Sequence, residues 1–147
     1  YADLSQSRVK NIVFDWDRML SLEGDSAPYL QYTCVRAQGI MRRGAAPYPA
    51  GGVDLRAMET AEEWNLIKHL GRFPVAVREA ARGYHPHVVA NYLYQLAQLF
   101  HVFYHNIPVQ KAEDEHLRAS RMAIVQGTSQ VMRRGLDLLG IGVPERM

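Results

Sequence analysis

Ala27-Pro28-Tyr29-Leu30-Gln31-Tyr32-Thr33-Cys34-Val35-Arg36-Ala37-Gln38-Gly39-Ile40-Met41-Arg42-Arg43 is the stretch that decides the fold. Its apolar residues recur at intervals of three and four, the period of a helix, not the alternation of a strand. Asp25 or Ser26 offers a side-chain cap, and Pro28 falls where a missing N–H leaves no bond unmade, so a helix from Pro28 to Arg43 is expected, ended by Gly44. At 100° per residue, Leu30, Cys34, Ala37 and Met41 fall within an arc of about 60°, the expected core stripe. Tyr29, Tyr32, Arg36 and Arg43 fall within another arc of about 60°, roughly opposite. An outward face of aromatic and cationic groups suits unpaired nucleic acid, because bases stack on tyrosine rings while arginine meets phosphate or a base edge. The plain alternative is that the tyrosines lie over a neighbouring helix and the arginines are solvated.

Working outward, the same period continues. A short helix is expected from about Ile12 to Leu20, broken by Glu23-Gly24-Asp25. From Gly44 to Val53 the chain is a loop by its proline and glycine content. Thr60-Ala61-Glu62-Glu63 fits a capping box, in which threonine and glutamate satisfy each other's free amides, and a helix to about Leu70 follows. Phe73-Pro74 restarts a helix to Gly83, and His85-Pro86 begins a long one through about His105. Asn106-Ile107-Pro108 stops it, and the last helix runs from near Ala112, with Glu113, Asp114 and Glu115 in its first turn, to Leu139-Gly140. On the long helix Asn91, Tyr94, Gln98, His101 and His105 form a polar stripe, with Tyr104 at its border. The expected fold is all-α, an antiparallel helical bundle of about five or six helices with a short tail from Val143 to Met147.

The chain has 147 residues, 48% hydrophobic and 22% charged, a globular balance that suits one domain. No apolar run is long enough for a membrane helix and no signal-peptide pattern opens the chain, so a cytoplasmic setting and no membrane partner are expected. A single cysteine, Cys34, excludes an internal disulfide and thiolate zinc sites, and is read as core. Net charge is only +2, so the distribution of cations must decide any nucleic-acid reading; arginine outnumbers lysine, which occurs only as Lys10, Lys68 and Lys111.

Catalytic chemistry is not legible. Glu113 and His116 make one Glu-x-x-His where a di-metal bundle needs two, and His101 and His105 lack the glutamate of a metalloprotease helix. Asp15 and Asp17, two apart, point away from each other on a helix. No catalytic residue and no metal site are expected. Arg118, Arg121, Arg133 and Arg134 are read as solvated or paired with nearby carboxylates.

Tyr1-Ala2-Asp3-Leu4-Ser5-Gln6, Phe14-Asp15-Trp16-Asp17-Arg18-Met19-Leu20 and Ala27-Pro28-Tyr29-Leu30-Gln31-Tyr32 together resemble arginyl-tRNA synthetases where the catalytic domain passes into the anticodon-binding domain. The likeness continues through Ala97-Gln98-Leu99-Phe100, Phe103-Tyr104, Gly135-Leu136-Asp137-Leu138-Leu139-Gly140 and Pro144-Glu145-Arg146-Met147. It implies residues 1–25 as a junction following the catalytic domain and 26–147 as the anticodon-binding bundle. It further implies an arginine–tRNA ligase using ATP with Mg, whose catalytic signatures are absent from this chain and so belong upstream, leaving no cofactor to this part. The implied partners are arginine tRNA, through its anticodon loop, and the enzyme's own catalytic domain, in a monomer. The implied binding residues are Tyr29, Tyr32, Arg36 and Tyr104, with Met147 at the terminus; Arg43 joins them from the helical face. The sequence departs from the family pattern in the Gly44 to Val53 loop and at Pro108, where nothing is transferred. The rival reading is a helical protein-interaction domain that does not bind RNA.

Overall fold

The computed structural model describes residues 1–7, 11, 13, 15–43, 53–112 and 114–147. Ile12, most of the expected loop, residues 44–52, and the pairing of Glu113 with His116 lie outside the described residues. Among those described, the elements are α1 (Trp16–Met19), α2 (Ala27–Arg43), a single 3₁₀ turn (Leu55–Ala57), α3 (Ala61–Gly71), α4 (Phe73–Gly83), α5 (Pro86–Asn106) and α6 (Glu115–Leu138).

α2 forms where its cap and period place it: the Ser26 hydroxyl accepts from the Tyr29 amide at 3.2 Å, and Leu30, Cys34 and Ala37 are fully buried. Met41, expected in that stripe, is only partly buried, and Ile40 takes its place at the end of the helix. α2 packs against α6 and α5, while α3 and α4 both lie on α5. α5 therefore runs through the centre, burying Leu93, Leu96, Ala97, Phe100 and Phe103. Each such side chain contributes roughly 1.5–3 kcal/mol on leaving water, which is why the most apolar helix holds this place. Its opposite stripe, Asn91, Gln98, His101 and His105, is exposed.

Thr60 and Glu63 make the expected capping box at the start of α3. Two helix starts differ from expectation, the first being that α1 begins at Trp16 rather than near Ile12, Val13 and Asp15 lying outside any helix. α6 begins at Glu115 rather than near Ala112, because the Asp114 carboxylate accepts from the His116 amide at 2.7 Å and so serves as cap; Ala112 is instead buried in the loop before it. α4 ends at Gly83 as expected, and the residue that follows it in the left-handed conformation is Tyr84, with φ 53°. Gly83 serves a different purpose: a Cβ there would lie 2.5 Å from the His85 ring.

The structure also holds an ion pair that spacing did not foretell. Glu63, with no exposed surface, binds the Nε of Arg121 on α6 at 2.6 Å. The same carboxylate accepts from the Glu59 and Thr60 amides and the Thr60 hydroxyl.

Candidate nucleic-acid interface

The outward side of α2 meets the end of α5, and the two helices bring Tyr32, Arg36 and Tyr104 together. Arg36 is exposed. Its guanidinium carbon stands 4.4 Å from the centre of the Tyr104 ring and 5.7 Å from that of Tyr32. Arg36 Nη1 also donates to the Tyr32 hydroxyl. Behind Tyr104 lies Phe100, stacked at 6.3 Å. A column thus rises from the buried Phe100 through the half-buried Tyr104 to a planar cation at the surface. Burial works to lower the Arg36 pKa, but hydrogen bonds to the Tyr104 and Tyr32 hydroxyls outweigh it and raise it, so the group stays charged. Stacking of arginine on an aromatic face is favourable by about 0.5–1 kcal/mol at exposed sites, enough to orient the fork rather than leave it free.

The remaining expected residues are placed differently. Tyr29 does not stand free on the outward face: it is half-buried and meets Tyr94 of α5 edge-on, with ring centres 6.1 Å apart. Burial, with Tyr94 beside it, pushes its hydroxyl pKa up. The cause of the departure is α5, whose tyrosine fills the space a helical wheel leaves blank. Arg43, on the last turn of α2, is exposed and borders a cleft of about 440 Å³ that it shares with Ile40, Tyr104, His105 and Lys111. Met147 is exposed at the end of the tail, and the tail is tied to α2 where Gln31 Nε2 donates to the Gly142 carbonyl at 2.6 Å. Tyr94, read from sequence as part of a polar stripe, is partly buried against Tyr29, and the cleft was not singled out, since it arises from contact between segments far apart in the chain.

Of the arginines on α6, Arg121 pairs with Glu63, and Arg118 lies 3.8 Å from Glu115. Among the described residues no three His, Cys, Asp or Glu side chains gather as metal ligands, and no helix is long and apolar enough to cross a membrane.

Fold and surface together define an all-helical domain that presents an arginine–tyrosine stack beside a cleft. The chain belongs to the family of DALR anticodon binding domains, whose model matches residues 30–147. Across its whole length it is similar to arginine–tRNA ligases of Chloroflexus aggregans, at 47% identity and 26% of that protein's length, and of Sodalis glossinidius, at 44% and 25%. The chain spans about a quarter of the length of the curated relatives it matches. Among solved structures, Thermus thermophilus arginyl-tRNA synthetase superposes with a TM-score of 0.91 at 37% identity, over 99% of this chain and 25% of that one. Arginyl-tRNA synthetase from Plasmodium falciparum gives 0.83 at 25% identity over the same shares.

Proposed function

We propose that this chain reads the anticodon loop of arginine tRNA on behalf of an arginine–tRNA ligase, whose ATP- and Mg-dependent chemistry takes place in another part of the protein. In this reading residues 1–25 join a catalytic domain to the bundle of 26–147, in a monomeric cytoplasmic enzyme. The single observation that carries it is the Arg36 guanidinium held between Tyr32 and Tyr104 at an exposed surface. Arginine and tyrosine also anchor protein interfaces, so it is the anticodon-binding family to which the chain belongs that favours RNA over a protein partner.

The chemistry fits the ligand. Every arginine codon has G in its middle position, so the paired anticodon base is cytosine, and this one base is shared by all arginine tRNAs. Cytosine carries an amino donor beside acceptor atoms, and its reader needs one donor and one acceptor. Arg36 supplies N–H donors, the tail near Met147 supplies an acceptor, and the tyrosines stack on the splayed bases, with Arg43 at the backbone.

The test is the affinity of the intact protein for two RNA hairpins that differ only in cytosine or uridine at the middle anticodon position. Wild type should prefer cytosine by about tenfold or more, the worth of one well-made base contact. Arg36→Ala should bind the cytosine hairpin about tenfold more weakly and discriminate less. Unchanged affinity and unchanged preference in that variant would sink the assignment.

A further inference from the structure

The cleft beside Tyr104 has two walls from different parts of the chain. One is the last turn of α2, with Ile40 and Arg43; the other is the end of α5 and the following loop, with Tyr104, His105 and Lys111. The last four carbonyls of a helix have no partner within it, and in α2 these belong to Ile40, Met41, Arg42 and Arg43. Gln110, an exposed residue of the loop, donates its side-chain amide to the Ile40 carbonyl at 3.1 Å. This one bond crosses from wall to wall.

The loop that carries Gln110 is itself anchored. Ile107, Val109 and Ala112 are buried, so Pro108, Gln110 and Lys111 turn outward. Asn106 donates to Glu62 at the start of α3 at 3.1 Å. From below, Arg121, fixed by Glu63, directs Nη1 at the Pro108 carbonyl at 3.5 Å. The outer wall is therefore held to the body of the domain at its base, and Gln110 alone among these ties reaches the opposite wall.

We propose that Gln110 is a positioning residue that sets the width of this cleft, holding Arg43 at the distance from Tyr104 and Lys111 at which an RNA strand is gripped. The inference rests on the RNA-binding reading of this face. Gln110 is not assigned any contact with RNA; it acts through the place of Arg43.

Gln110→Met keeps the length of the side chain and removes its donor. In the intact protein this variant should bind the cytosine hairpin about three- to tenfold more weakly, the worth of one hydrogen bond, with little change in its thermal unfolding midpoint. Arg43→Ala should weaken binding by itself. Added to Gln110→Met it should cause little further loss, because coupled residues do not add. Wild-type affinity in Gln110→Met overturns the proposal, and so do fully additive losses, which would mean that Gln110 acts independently of Arg43. If neither Arg36→Ala nor Arg43→Ala affects binding, the RNA reading of the face falls and the cleft proposal with it.

Discussion

Glu63, away from the proposed binding face, joins the start of α3 to α6 through one carboxylate. Its carboxylate is wholly buried and takes hydrogen bonds from the Glu59 and Thr60 amides at 3.0 and 2.9 Å, from the Thr60 hydroxyl at 2.9 Å and from Arg121 at 2.6 Å. Burial pushes the carboxyl pKa up, yet the Thr60 amide, Arg121 and the Thr60 hydroxyl together outweigh it and hold the group below its ordinary value. A carboxyl with a lowered folded pKa stabilises the fold above its unfolded value, near 4.5, and that contribution is lost as pH falls through the folded value. Glu63→Ala should leave Arg121 charged and buried without its partner, at a cost of about 3–5 kcal/mol at neutral pH in urea unfolding. Repeated at progressively lower pH, the difference between variant and wild type should shrink below about pH 4.5; a constant difference down to acid would show that the ionised carboxylate is not what stabilises. Half of this arrangement was legible. Thr60 and Glu63 stand three apart, the local signature of a capping box, whereas Arg121 is 58 residues from Glu63 and nothing in its spacing marks it out.

Between elements, α5 and α6 meet closely at Gly135. A Cβ on Gly135 would lie 2.5, 2.9 and 3.0 Å from three atoms of the Leu93 side chain, and Leu93 is itself fully buried. Gly135→Ala should therefore cost about 1–3 kcal/mol through overpacking, although alanine favours the helix by nearly 1 kcal/mol. The midpoint of denaturant unfolding checks this; a stabilised variant would mean that Leu93 moves aside freely. The sequence shows a glycine inside a helix, a small local penalty. Only the crossing shows why it is there. Gly83 makes the same point, since helix-ending glycines suggest a left-handed turn, yet Tyr84 makes the turn and Gly83 makes room for His85.

The whole molecule carries a net charge of only +2, so it does not attract RNA as a general polycation. Cations at the proposed surface are few: Arg36, Arg43 and Lys111. Two phosphate contacts to a single strand, from Arg43 and Lys111, correspond to a slope of about −1.4 in log K against log salt. A hairpin titration of the intact protein at several salt concentrations, compared with the Arg36→Ala and Arg43→Ala variants, should separate the two roles: Arg43→Ala should make the slope shallower by about 0.7, and Arg36→Ala should lower affinity for the cytosine hairpin with a smaller change in slope. Unchanged slopes would place the phosphate contacts on other residues.

At this scale the sequence by itself determined the helical class, most helix ends and the separation of α2 into buried and outward sides. Each of these follows from residues within one turn or one period of each other, through capping, proline geometry and the burial of apolar stripes. The tertiary structure alone decided which outward residues meet. It turned Tyr29 against Tyr94, set Arg36 on Tyr104 and drew Gln110 across to Ile40. These are contacts between segments about 65 to 70 residues apart, and such pairs depend on how whole helices pack, a property of summed side-chain shapes that no local spacing encodes.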